Sequence, residues 1–283
     1  MNIDIKGNSG CSIDIIEKDN KLFVKKSTQD PNYRKRLNLQ GHKQASDELA
    51  DKCGIRTPKI HELNCGSDEA FILMDYVYSK NFIDYFESAS KQDIDNLVEK
   101  LTAYIDKEFE HSIYKEIGTK IFIEKIESIF SKCNSDEYSE LKNDILNVFE
   151  NIKGLIAFPV GTCHGDLTFS NILFASNGIY FIDYLDSFIE TPLQDIVKLR
   201  QDTKYGWSCL KTDRRFDNIR MKMILKYIDD KIDNHFKDNS YYKKWYGIMQ
   251  LMNILRILPY SNEEKVKNFV ISTLKGILED LKS

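Results

Sequence analysis

The stretch "CHGDLTFSN" brings His164, Gly165, Asp166 and Asn171 into one short segment, and "GIYFIDYLD" soon follows with Asp183 and Asp186 at the end of an apolar run. A carboxylate at the end of an apolar strand is costly to bury unless a positive charge meets it. A metal ion is the obvious candidate. His-x-Asp followed by an asparagine puts a carboxylate and an amide oxygen on one loop. Magnesium with phosphate suits that pair, because Mg²⁺ prefers hard oxygen ligands and takes few of them from protein. In such a site Asp166 would orient a hydroxyl nucleophile and accept its proton, while Asn171 and Asp183 would hold the metal. Alone, His-Gly-Asp suits a polar turn equally well, with Asp166 or Asn171 capping a helix. His164 reads as a packing and hydrogen-bonding residue rather than a base.

Two shorter stretches could serve the same chemistry. "KGNSG" places Gly7 and Gly10 in a tight loop between strand candidates. Such a loop lets backbone N–H groups approach phosphates, although an ordinary hairpin turn has the same residues. No Gly-Lys-Ser/Thr follows, so it is not a Walker loop. "LFVKK" offers Lys25 or Lys26 on a strand. Alternation puts Phe23 and Lys25 on one face, Val24 and Lys26 on the other.

Elements must hold these residues in place. "CSIDIIEKD" and "KLFVKKS" are short runs joined by "DN", the pattern of a β-hairpin. A helix is expected from Arg34 to Lys52, ended by Gly54 and Pro58. "EAFILMDYV" reads as a strand. From Phe82 to Phe149 apolar positions recur at three and four, which predicts helices, and strands return from Ile172 to Tyr184. From about Asp195 the chain reads as mostly helical, and its apolar stripes are core surface. A boundary is expected near Val77.

Composition narrows the classes. The chain has 283 residues, 42% hydrophobic and 30% charged, which is a globular composition. The net charge of −4 argues against a nucleic-acid partner. Six cysteines are scattered without any C-x-x-C pair, so neither a zinc site nor a disulfide framework is suggested and a cytoplasmic location is expected. The start is not a signal peptide, and no apolar run approaches a membrane span.

In this order the motifs resemble the kinase-like phosphotransferases of the aminoglycoside phosphotransferase and choline kinase group. The resemblance runs from the glycine loop to "DIVKLRQD" and is strongest in "HGDLTFSNIL" and "FIDYLD". It implies an α+β, bilobal protein-kinase-like fold. A small β-rich N-terminal lobe, residues 1–77, would bind nucleotide. A larger, mainly helical C-terminal lobe, residues 78–283, would carry catalysis and the acceptor. ATP would be the co-substrate and Mg²⁺ the cofactor. Asp166 would be the catalytic base, with Asn171 and Asp183 as metal ligands. Gly7 and Gly10 would lie over the phosphates, and Lys25 would hold the α- and β-phosphates, leaving Lys26 for solvent or the back of the sheet. Phe23 would lie against adenine and Met74 at the back of the pocket. Asp75 to Val77 would be the connection whose backbone binds adenine.

One position departs from the pattern. Family members usually carry a helix glutamate that pairs with the strand lysine. Counting back from "TPKI", Gln44 falls there, with Glu48 one turn later. Either Gln44 orients the lysine or Glu48 does after a shift of register. Asp186 would face the acceptor or a second metal, and Asp195 would brace the catalytic loop. Asp183 is followed almost at once by "TPLQDIVKL", with no Asp-Phe-Gly and no room for a peptide-docking activation segment. A small-molecule alcohol is therefore the expected acceptor: a sugar or glycan precursor, an amino alcohol or an aminoglycoside. Tyr205 and Trp207 would form a platform for it or pack on the helical lobe. A catalytically silent kinase-fold protein that binds a nucleotide or a partner is the alternative, kept alive by Gln44.

Overall fold

The computed structural model describes residues 11–133, 137–152 and 154–282, so Gly7 and Gly10 lie outside the described residues. Contacts divide the chain into two compact units. One comprises Met1–Lys107, His164–Phe188 and Phe216–Met221, the other Glu108–Cys163, Ile189–Arg215 and Lys222–Ser283.

The first unit begins with the hairpin. Strands β1 (Ser12–Lys18) and β2 (Lys21–Thr28) pair antiparallel across Asp19 and Asn20. Both turn residues have positive φ, 51° and 58°. That is the mirror-image turn whose twist matches the strands, and it explains the "DN". The expected single helix is instead two, α1 (Pro31–Ala45) and α2 (Glu48–Lys52). Asp30 caps α1 by accepting the Asn32 N–H, with Pro31 at its start. Asp47 starts α2 by accepting from Leu49 and Ala50. A capping aspartate offers the backbone an alternative to continuing the first helix, which is why the chain breaks there.

After β3 (Ile55–Arg56), strands β4 (Ile60–Cys65) and β5 (Ala70–Asp75) complete a sheet of order β1-β2-β5-β4. One face is covered: Val24, Ile60 and Leu63 pack on Leu37 of α1, Ile72 and Met74. Gly41 of α1 lets the helix lie close, since a Cβ there would meet Leu63 Cδ1 at 2.5 Å. Next come β6 (Ser79–Lys80), α3 (Phe82–Ser88) and α4 (Lys91–Glu110).

The expected helical stretch from Phe82 to Phe149 is interrupted by β7 (Ile113–Gly118), then resumes as α5 (Lys120–Phe130) and α6 (Ser139–Glu150). In the second unit β7 pairs with β8 (Leu155–Val160), a long-range pairing that local periodicity does not carry. Strands β9 (Ile172–Ala175) and β10 (Gly178–Phe181) form the expected hairpin, in a sheet of order β3-β10-β9-β6 within the first unit. The remainder is helical: α7 (Pro192–Thr203), α8 (Trp207–Leu210), α9 (Asn218–Phe236), α10 (Ser240–Leu255) and α11 (Glu264–Lys282). The chain is thus mixed α and β, with a strand-rich N-terminal region and a larger helical part. No helix among the described residues is long and apolar enough to cross a membrane.

Candidate active site

The segment from His164 to Leu185 folds back on itself through the β9–β10 hairpin, and its two ends are hydrogen-bonded. His164 is fully buried, with its ring stacked on Tyr184 at 4.2 Å and edge-on to Phe181 at 5.4 Å. Its Nδ1 accepts the Asp166 N–H at 3.3 Å, and its carbonyl accepts the Leu185 N–H at 2.9 Å. The histidine is a bracket, as its surroundings in the sequence suggested. Gly165 has φ +85°, and a Cβ on it would meet the Leu185 carbonyl oxygen at 2.0 Å. Only glycine fits that crossing.

Asn171 closes the loop. Its Nδ2 donates to the Asp166 carbonyl at 2.8 Å and to Asp166 Oδ2 at 3.0 Å. The asparagine therefore aims the carboxylate and spends its donor doing so. The amide oxygen is left as an acceptor. Asp183 lies two residues past β10 with φ +62°, the left-handed region that few non-glycine residues occupy. Such strain persists where the surroundings over-determine it and clusters at functional sites.

The positive charge expected beside Asp183 is Lys26. Its side chain is 4% exposed, and its Nζ lies 2.8 Å from Asp183 Oδ1. Lys26, expected to face solvent or the back of the sheet, is thus the lysine beside Asp183, and the reason is packing. Val24 and Lys26 share the face that α1 covers, opposite Met74 and Ile72 on β5. Lys25 lies on the other face, where it pairs with Glu69 at 3.0 Å and sits over the Phe71 ring. Phe23 goes with Lys25, edge-on to His61 at 5.1 Å. It is thus on the face away from Lys26, Val24 and Met74.

The helix partner is also one turn from its expected place. Gln40 accepts from Lys26 Nζ at 3.0 Å, and its Nε2 lies 3.4 Å from Asp183 Oδ1. Gln44 is buried on the same side of α1 but donates to the Pro58 carbonyl at 3.0 Å and to Met74 Sδ at 3.6 Å. Glu48 is exposed at the start of α2. Counting back through the break at Ser46 and Asp47 as if one helix ran on misplaced the partner by a turn.

Met74 is in the core, 8% exposed. The Asp75 N–H is spent on the Lys59 carbonyl and the Tyr76 N–H on the Leu22 carbonyl. Asp75 Oδ1 also accepts from His61 Nε2 at 2.6 Å. Asp75 and Val77 line a cavity of about 930 Å³ with Leu22, Pro58 and Tyr180. Lys26, Asp166, Asn171 and Asp183 are not among its lining residues.

Two residues the sequence did not single out hold the site's frame. Lys43 Nζ donates to the Leu185 carbonyl at 2.7 Å, fastening α1 to the segment after Asp183. Asp47, besides capping α2, accepts from the Tyr104 and Tyr184 hydroxyls. A Ser-Asp break inside a helical pattern was the available signal. Asp186 is exposed and 3.9 Å from Arg36 Nε, and Asp195 is buried in the first turn of α7. Trp207 packs on Phe269 at 5.6 Å, and burial pushes the Tyr205 hydroxyl up to about 12. The Trp207 ring therefore packs on α11.

Among the described residues no three His, Cys, Asp or Glu side chains gather as a metal-holding group. What the loop does offer is the Asn171 amide oxygen and the Asp183 carboxylate. Two hard oxygens suit a cation that takes the rest of its shell from water and phosphates.

The sequence model of the phosphotransferase enzyme family matches residues 17–217. No curated protein matches the chain by sequence. Solved structures match along nearly the whole chain. The aminoglycoside phosphotransferase APH(4)-Ia is 8% identical over 99% of this chain and 93% of that one, with a TM-score of 0.65. The streptomycin-ATP-APH(2")-IIa ternary complex is 13% identical over 98% and 91%, with a TM-score of 0.61. A choline/ethanolamine kinase family protein from Mesorhizobium loti is 11% identical over 99% and 88%, with a TM-score of 0.54. At these identities the likeness is one of fold, and the fold is kinase-like.

Proposed function

The chain belongs to the phosphotransferase enzyme family, and from that premise we propose that it transfers the γ-phosphoryl group of ATP to a hydroxyl of a small molecule. The observation that carries this is the Lys26–Asp183 pair, 2.8 Å apart, in the same unit as the Asp166–Asn171 loop. In the proposed division of labour, residues 1–77 bind nucleotide and residues 78–283 carry catalysis and the acceptor.

Asp166 is the base. Asn171 holds its Oδ2, which leaves Oδ1 to take the proton of the acceptor hydroxyl. The hydroxyl oxygen then bonds to the γ-phosphorus as the bond to the ADP oxygen breaks, and the proton passes from Asp166 to water. Lys26, rather than Lys25, meets the phosphate oxygens, where a fixed charge in a closed site is worth most. Mg²⁺, held by Asn171 and Asp183, would neutralise charge on the phosphates. Asp75 to Val77 form the connection beside adenine. A nucleotide in the streptomycin-ATP-APH(2")-IIa complex supports ATP as the co-substrate.

Residues 184–191 alone separate Asp183 from α7. That gap is too short to dock a peptide, which favours a small acceptor. The family's small-molecule kinases leave sugars, amino alcohols and aminoglycosides as the classes to try. None of the six cysteines forms a disulfide, in keeping with a reducing, cytoplasmic setting.

The test is ADP release by the purified protein with Mg-ATP against those three acceptor classes. Asp166→Asn should lower turnover about 10²–10⁴-fold and leave the KM for ATP nearly unchanged. A loss below tenfold with the fold intact would remove Asp166 as the base. No transfer to any acceptor, with ATP still bound, would favour a silent kinase-fold protein.

A further inference from the structure

An amide stands where a carboxylate would give Lys26 a second counter-charge. Among the described residues, Asp183 is the one carboxylate within ion-pair distance of Lys26. Gln40 binds both partners, accepting from the lysine at 3.0 Å and lying 3.4 Å from Asp183 Oδ1 through its Nε2. It is 8% exposed, so water does not substitute freely for it. We infer that Gln40 makes metal and nucleotide binding mutually dependent: a divalent cation gains Asp183 only when phosphates draw Lys26 away. The inference rests on the phosphate-binding reading of this site.

The argument is one of charge and donors. With a glutamate at position 40, the lysine would keep a counter-charge after releasing Asp183. With glutamine, releasing Asp183 leaves the ammonium buried beside a neutral amide, which is costly. A cation approaching Asp183 alone therefore meets a carboxylate already neutralised, with Lys26 adding repulsion. Nucleotide phosphates supply the missing counter-charge. Asp183 then turns to the metal, and each ligand prepares the site for the other. By linkage the two effects are equal in size. Gln40 is a positioning residue here, and it acts through Lys26 and Asp183.

The experiment is a Mn²⁺ titration of the full chain, by electron paramagnetic resonance, with and without saturating ADP. Wild type should bind Mn²⁺ weakly alone and roughly 10- to 100-fold more tightly with ADP, the usual span of a coupling between sites. Gln40→Glu should raise the affinity of the nucleotide-free protein for Mn²⁺ about tenfold and shrink the coupling by a similar factor. Mn²⁺–ADP association in solution is common to both proteins and cancels in the comparison. Gln40→Leu keeps the position neutral and should stay within about threefold of wild type without ADP, which separates charge from packing. Coupling in Gln40→Glu within about twofold of wild type would overturn the inference while leaving the phosphate reading in place. Failure of wild type to bind ADP in the presence of Mn²⁺ would overturn both.

Discussion

Lys26 and Arg200 are the two buried cations among the described residues, and their surroundings differ in kind. Arg200, on α7, donates through Nε and Nη2 to both oxygens of Asp229 at 2.9 and 2.8 Å. Its Nη1 reaches Asp233 at 2.5 Å and the Tyr242 hydroxyl. The Tyr246 ring lies 4.7 Å from the guanidinium carbon. Thr203 adds a hydrogen bond to Asp229 at 2.7 Å. Two carboxylates thus serve one cation, and all three guanidinium nitrogens are used. Lys26 has one carboxylate and one amide. Its partner Asp183 is about a third exposed, and both contacts fall on Oδ1. A saturated cluster can only hold helices together. A buried cation with a single counter-charge can give it up only as another anion arrives, as is proposed for phosphate at Lys26.

The largest expected effect lies on the saturated side. Arg200→Leu strands Asp229, whose side chain is 13% exposed. Removing one member of a buried pair costs about 3–5 kcal/mol, read as a shift in the urea midpoint at unchanged slope. A loss below about 1 kcal/mol, the scale of an exposed pair, would break the comparison.

The next effect is on the exchangeable side and is kinetic. Lys26→Ala should lower kcat/KM roughly 10²-fold, about 2.7 kcal/mol, as loss of a fixed charge in a closed site does. Lys25→Ala should cost a few-fold at most, since its pair with Glu69 is about a third exposed and surface pairs are worth about 0–1 kcal/mol. Steady-state kinetics on the two variants decide it. Equal losses would refute the assignment of Lys26 to the phosphates.

The smallest effect sharpens the saturated side. Burial alone would raise the Asp233 carboxyl, but the Tyr242 hydroxyl and the Arg200 charge outweigh it and hold it below its ordinary value. A depressed carboxyl stabilises the fold above the ordinary carboxylate range, and that contribution is lost as pH falls through the depressed value. Asp233→Asn should flatten this acid limb and change stability at neutral pH by at most about 1 kcal/mol, because half the side chain is in water. Melting temperature followed from neutral pH into the acid range is the measurement. An acid limb as steep as wild type would assign the protons elsewhere.

What could be read from the residues alone was local. His164, Gly165, Asp166 and Asn171 close on one another within a few positions, through bonds such as Asn171 Nδ2 to Asp166 at 3.0 Å. The β1–β2 turn is likewise written in adjacent residues, Asp19 and Asn20, and Pro31 marks the start of α1. The choice between two lysines was not local. Strand alternation separates Lys25 from Lys26 but does not say which face is covered. That depends on where α1 lays Leu37 and on the β5 residues opposite. The ion pair that brings Lys26 to Asp183 joins positions 157 residues apart. Gln40 and Gln44 are also equivalent in sequence, one turn apart and both buried. Only the break after Ala45 and the height of Asp183 beside α1 select Gln40. Chemistry carried by neighbours in the chain follows from residue types and spacing. Chemistry assembled across the fold is decided by which apolar face the sheet buries.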